Sequence, residues 1–440
     1  MTDVTFTAAA AFDRKLVWEG GGSVRYLVAL LKAGKEVQTR VEERAPLNIA
    51  LVIDASGSMG DGKLEAAKEA ALGLVDRLTK KDRLTVVSFA SDVLVHLDAL
   101  AVSPENTSRI RSEISRLRTR GMTLLSGGWF AGVDCAARIA EEDPRMLPRV
   151  IILSDGHANE GIIDPEKLRE HAGELRMRGV LTSCLGIGNG YDEQLLRGIA
   201  ENGGGRLHDA ELMSEISSVL LGELDDIFGT LVDDAQIEIT VPSGAEIQVL
   251  GRLGSELTEG CVSVSLGPVQ NDIERFAVVK ITCPEARRGD ELLFEVRATG
   301  RAVGDNSRLE AASTPIRLTA VDGSANLAQS RDIEVTAIVT RTWSAHIVSV
   351  AAQMNRDGAF EDAERFLDRE LRYFRRYVEC LERGREMIRE LELLALRVGR
   401  EFSSRMRKEM VVQASMAMES RVDRRGMGKA SWSARMERGD

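Results

Sequence analysis

The stretch IDASGSMGDGK, Ile53 to Lys63, places carboxylates, hydroxyls, glycines and a lysine between an apolar run and a run rich in Ala, Leu, Glu and Lys. Three chemistries have a near-match there. Gly57 to Lys63 spells G-x-x-x-x-G-K, a phosphate cradle, and RVIILSD further on resembles a strand ending in an acidic magnesium partner. That reading lacks a hydroxyl at Leu64 and carries the carboxylate of Asp61 inside the cradle, where an anion is to be attracted. Ser56-Gly57-Ser58-Met59-Gly60 is a variant of the elbow that lifts a nucleophilic serine above an α/β sheet, and Asp155 and His208 follow Ser58 in hydrolase order. No HGG-type oxyanion loop accompanies it, and Asp54 is left without a role. In the third reading Asp54, Ser56 and Ser58 alternate, so a chain leaving a strand at Ile53 aims one carboxylate and two hydroxyls at a common point. Thr123 in RGMTLLSGG and Asp155 in LSDGHAN supply further oxygens at corresponding places in the topology. Hard oxygen donors of this kind suit Mg²⁺, Mn²⁺ or Ca²⁺ and are poor for zinc.

These residues need a scaffold, and the hydropathy pattern supplies one. LNIALVID, RLTVVSF, RVIILSD and VLTSCLGIG are nearly continuous apolar runs, as parallel strands covered on both faces must be. Amphipathic stretches predict helices at 62–78, 105–118, 127–141, 165–178, 192–202 and 211–228. Together they predict a doubly wound, Rossmann-like α/β domain over 47–230, whose strand ends meet in one crevice. Over 231–324 the period changes to two, broken by Gly, Pro and Asn, which predicts a β-sandwich. The N-terminal strands of 1–46 are too few for a domain and are expected to complete that sandwich. Three- and four-residue apolar spacing over 325–410 predicts a C-terminal α-helical hairpin, and 411–440 is a Met- and Arg-rich stretch expected to be a flexible tail.

Composition narrows the function. The 440 residues carry a net charge of -11 with 4% aromatic residues, which disfavours both phosphate-backbone binding and a base-stacking platform, so no nucleic-acid partner is expected. No apolar run approaches the ~20 residues that span a bilayer. The opening MTDVTFTAAAAFDRK lacks a sustained apolar core, and no secretory signal is expected. Cys135, Cys184, Cys261, Cys283 and Cys380 are scattered and free of CxxC spacing, which predicts buried thiols in a reducing compartment and a cytoplasmic location.

The ordered set Asp54, Ser56, Ser58, then Thr123, then Asp155 resembles the metal-ion-dependent adhesion site (MIDAS) of von Willebrand factor type A (vWA) domains, written D-x-S-x-S, then Thr, then Asp. CLGIGNGYDEQLLRGIAENGGGRLHDA is also similar to the family's final strand, helix and strand. The one departure is Met122, where bacterial members often carry Gly. The resemblance, closest to bacterial intracellular members, implies that Ser56, Ser58 and often Thr123 bind a divalent ion directly, that Asp54 orients the site and that Asp155 acts through water. It further implies a coordination position that a Glu or Asp of a protein partner fills, a scaffold rather than an enzyme, and movement of the last helix of the domain on binding. An accessory factor of an ATPase chaperone is the same fold in a different pathway. His157, Glu160 and the Met-rich tail could touch a partner; His96, His171 and His346 have no companions at ligand spacing.

Overall fold

The computed structural model describes residues 4–35, 44–143, 145–251, 253–304, 307–313, 315–418, 432, 433 and 436. Strand Leu47–Asp54 is buried along its whole length because it lies inside a six-stranded sheet with helices on both sides. Its neighbours are Arg83–Phe89 and Leu147–Ser154, both parallel to it, and the sheet continues to Leu181–Ile187 and Gly204–Ala210. Alternation along the strand divides its side chains between two cores. Leu47, Ile49, Leu51 and Ile53 meet helices Lys63–Val75, Pro104–Ser115 and Met213–Phe228 through residues such as Leu74, Ile110 and Leu220. Ala50 and Val52 meet helices Leu125–Glu142, Pro165–Met177 and Glu193–Asn202 through Trp129, Leu168 and Leu196. The helix Leu125–Glu142 can press onto the sheet because a Cβ on Gly128 or Gly132 would lie 2.6 Å from Phe89 or 2.5 Å from Val52.

The far edge strand, Val93–Ala101, pairs antiparallel with Arg83–Phe89 and was not expected. Leu97 and Leu100 join the core on one face of the sheet and Val93 the core on the other, but Leu94 and Val95 are exposed, and the sequence VLVHLDALA has the mixed polarity of an exposed edge rather than the apolar run of a parallel strand.

Two further sheets share one core. Val4–Phe12, Val24–Lys35, Glu274–Thr282 and Glu246–Leu250 form a four-stranded sheet, and Thr230–Thr240, Cys261–Gln270 and Glu291–Ala302 are central to a seven-stranded one. Leu16–Trp18 joins the second sheet beside Ile316–Val321, so the N-terminal strands contribute to both. The chain therefore leaves one sheet at Lys35, builds the α/β domain, and returns into the other sheet at Thr230. Leu27, Ala29, Leu31, Ala277 and Val279 point between the sheets, while Tyr26, Val28, Phe276 and Val278 point the opposite way, into a helical layer.

That layer contains the helices Ile333–Arg356, Phe360–Val378, Gly384–Arg397 and Ser404–Met418, where the apolar spacing predicted a hairpin. Periodicity continues on both sides of the turn after Val378 and so does not reveal it. Gly384 is what permits it, since a Cβ there would stand 2.4 Å from the Val378 carbonyl oxygen. Of the expected tail, 411–418 belong to the last helix, where Val411, Val412 and Ala414 are buried because Met, Val and Ala give it an apolar stripe. Trp432 and Met436 lie in the same core, Ser433 Oγ bonds to Glu390 at 3.2 Å, and the rest of the tail lies outside the described residues. All the cysteines are free; Cys135, Cys184 and Cys283 are buried as expected, whereas Cys261 is half-buried and Cys380 exposed. No described helix is long and apolar enough to cross a membrane.

Candidate functional site

Strands Leu47–Asp54 and Leu147–Ser154 are adjacent, but their outgoing connections turn to opposite sides of the sheet, to Arg83–Phe89 and to Leu181–Ile187. A crevice opens at such a switch point, beyond the carboxyl ends of the strands. Asp54 ends one strand and Asp155 follows the other; both are buried. Asp54 is held by its neighbours: Ser154 Oγ donates to Oδ2 at 2.6 Å and the Ser56 N–H to Oδ1 at 2.8 Å. Burial pushes its carboxyl up, against the pull of those hydrogen bonds to Ser154 and Ser56.

The short 3₁₀ turn Gly57–Met59 brings the hydroxyls over the strand ends. Ser58 Oγ donates to Asp155 Oδ1 at 2.7 Å and so accepts from Ser56 Oγ at 3.0 Å, having a single proton to give. Thr123 is buried at the end of the loop before helix Leu125–Glu142; its N–H donates to Asn159 Oδ1 at 2.9 Å, and the Asn159 N–H returns a bond to the Thr123 carbonyl at 3.2 Å. The convergence of the set is measured at Gly156. A Cβ there would lie 3.3 Å from Ser58 Oγ, 3.8 Å from Thr123 Oγ1 and 3.9 Å from Asp54 Oδ2. The fold thus brings all of Asp54, Ser56, Ser58, Thr123 and Asp155 together. Among the described residues no group of three or more His, Cys, Asp or Glu gathers to hold an ion, so a cation site here has to depend on hydroxyls as well as carboxylates.

The other two readings of the loop lose their geometry. The N–H groups of Gly57, Met59, Gly60 and Lys63 donate to carbonyls of Gly121, Ser56, Gly57 and Gly60, which leaves them unable to cradle a phosphate. His208 is buried and bonded through Nε2 to Glu223 Oε2 at 2.7 Å. It aligns with Leu185, Leu153 and Ile53, three strands from the serine loop's own strand or about 14 Å at ~4.8 Å per strand, so it does not form a triad with Ser58 and Asp155. His157 lies on the rim, with Nδ1 3.6 Å from Asp192.

Three contributors were missed in the sequence. Ser154 and Asn159 position Asp54 and Thr123; only their nearness to Asp155 could have marked them. Lys63, noticed only as part of a phosphate motif, contacts the Asp155 carboxylate and donates to the Ser58 carbonyl at 3.0 Å.

The family model of the von Willebrand factor type A domain matches residues 48–220, the segment that carries this arrangement. The chain contains a vWA domain. It is 30% identical over 229 residues to inter-alpha-trypsin inhibitor heavy chain H3 of Pongo abelii, covering 48% of this chain and 26% of that protein. It is likewise 30% identical over 229 residues to the uncharacterized protein YfbK of Escherichia coli, covering 50% of this chain and 39% of the relative. The chain thus spans well under half the length of either relative. Beyond the vWA domain, the whole architecture is shared with a solved structure titled von Willebrand factor type A from Catenulispora acidiphila, at a TM-score of 0.71 and 18% identity, over 96% of this chain and 99% of that one.

Proposed function

We propose that the protein is a divalent-cation-dependent interaction scaffold, in which Asp54, Ser56, Ser58, Thr123 and Asp155 hold Mg²⁺, or Mn²⁺ or Ca²⁺ in its place, and a protein partner supplies a Glu or Asp. The observation that carries this is the space around Gly156, faced by Ser58 Oγ, Thr123 Oγ1 and Asp54 Oδ2 within 3.9 Å of one point. Oxygen donors alone suit a hard cation, and direct contact by neutral hydroxyls, with Asp54 orienting the site and Asp155 acting through water, would leave residual positive charge at the ion. When bound, the ion would supply residual positive charge and a free coordination position for the partner's carboxylate.

The chain's own residues do the remaining work. Ser154 and the Ser56 N–H orient Asp54, Asn159 fixes the Thr123 loop, and the 3₁₀ turn aims Ser56 and Ser58. His208 stands apart from Ser58 and Asp155, bonded to Glu223, and the proposed role is binding in the cytoplasm without chemistry of the protein's own. Calorimetric titration of the full chain with MgCl₂ tests the reading, followed by retention of lysate proteins in Mg²⁺ and in excess chelator. Wild type is expected to bind Mg²⁺ and retain a partner only in its presence, and Asp54→Ala to do neither. Retention indifferent to chelator and to Asp54→Ala would move the contact away from this edge of the sheet.

A further inference from the structure

We infer that Lys63 is a tethered counter-ion of the cation site: its ammonium occupies Asp155 when no divalent ion is bound and must leave when one binds. The inference rests on the cation reading above and adds to it what sets the affinity.

Lys63 is the first residue of helix Lys63–Val75. That is an unfavourable place for a cation, since the exposed N–H groups of a helix start favour anions. What compensates is tertiary. The ammonium pairs with Asp155, whose side chain is wholly buried, and donates to the Ser58 carbonyl at 3.0 Å, bridging the serine loop and the Asp155 loop. Asp155 is thereby engaged on both oxygens, Oδ1 by Ser58 Oγ and Oδ2 by Lys63. Two buried carboxylates, Asp54 and Asp155, meet at this edge, and a buried carboxylate without a cation is strongly unfavourable. Lys63 supplies that charge from inside the chain and keeps the loops assembled before any ion arrives.

The same contact opposes the ion. A divalent cation placed among Ser58, Thr123 and Asp54 competes with the ammonium for Asp155, and the two positive charges repel. The lysine side chain is 32% exposed on a flexible stem, so it can swing into solvent. Binding is therefore an exchange of a tethered monovalent cation for a free divalent one, with an affinity below what the donors alone would give.

The test is calorimetric titration of the full chain with MgCl₂ and, separately, MnCl₂, for wild type, Lys63→Met, Lys63→Gln, Lys63→Arg and Asp54→Ala, with melting curves of each in chelator. Lys63→Met and Lys63→Gln are expected to bind about tenfold more tightly or better, the low end for removing a cation in contact with a carboxylate. Lys63→Arg stays near wild type. In chelator, the two neutral variants melt below wild type, and saturating Mg²⁺ closes or reverses the gap. If wild type binds, Asp54→Ala does not, and the neutral variants bind no more tightly, the exchange is refuted while the cation site stands. If neither wild type nor the neutral variants bind, or Asp54→Ala binds equally well, both fall.

Discussion

A methyl group on Gly156 would project into the space shared by Ser58 Oγ, Thr123 Oγ1 and Asp54 Oδ2, at 3.3 Å from the first of them. The backbone there is not in the left-handed region, so the substitution costs little in folding. Gly156→Ala is expected to weaken Mg²⁺ binding by about tenfold or more in calorimetry with stability within about 0.5 kcal/mol of wild type, the usual range for changes away from core and caps. Ser154→Ala acts in the opposite way: it deprives the buried Asp54 Oδ2 of its donor, and urea unfolding in chelator should show a loss of about 1–3 kcal/mol. The alternation of Asp54, Ser56 and Ser58 was legible because strand geometry is local. Ser154, Asn159 and Lys63 were not, because what they do is contact residues 100, 36 and 92 positions away, and no periodicity encodes that.

At the level of elements, the helix Ser404–Met418 is tied to the vWA domain near the same sheet edge. Arg405 makes a bidentate pair with the buried Asp209 at 2.9 and 2.7 Å, and Lys408 donates to the carbonyls of Asn189 and Tyr191 at 2.7 Å each while lying 3.9 Å from the Tyr191 ring centre. Arg405→Met takes the paired cation from the buried Asp209, and chemical denaturation should show a loss of about 3–5 kcal/mol. Burial lowers the Lys408 ammonium to about 8, from 10.5 when exposed. Between those values the unfolded chain keeps a proton that the folded chain has released, so this lysine's contribution to stability rises with pH across the window and is flat below it. The stability of wild type relative to Lys408→Met should therefore climb from about pH 8 to 10.5. Equal changes in both proteins would show that Lys408 keeps its proton. The helix Met213–Phe228 begins with Met213 against Gly62 and is separated from Thr230–Thr240 by Gly229 alone. If partner binding shifts it, its amide exchange changes on addition of partner; unchanged exchange removes that coupling. The helices of the vWA domain were visible in the sequence because each has one apolar face. The antiparallel edge strand and the break after Val378 were not, since mixed polarity and unbroken periodicity carry no signal for either.

On the scale of the whole molecule, the two sheets cannot form without residues far apart in the chain: Val24–Lys35 pairs with Glu274–Thr282, and Leu16–Trp18 with Ile316–Val321. Deleting residues 1–35 should abolish the sandwich and the helical layer resting on Tyr26 and Val28, yet leave the vWA domain, which has two cores of its own. Limited proteolysis should then yield a resistant fragment beginning near Ala45 and ending near Gly229; complete digestion would mean that the domain needs its neighbours. The two ends of the vWA domain run into different sheets, and ion pairs Arg149 to Asp233 and Arg176 to Asp234 brace it against the strand Thr230–Thr240. A tensile load applied at the far edge, through a gripped partner, would thus leave the domain by two chains at once and divide between the sheets. Neither strand could be peeled away without disrupting the core they share, which makes the sandwich a mechanical anchor for whatever the sheet edge holds.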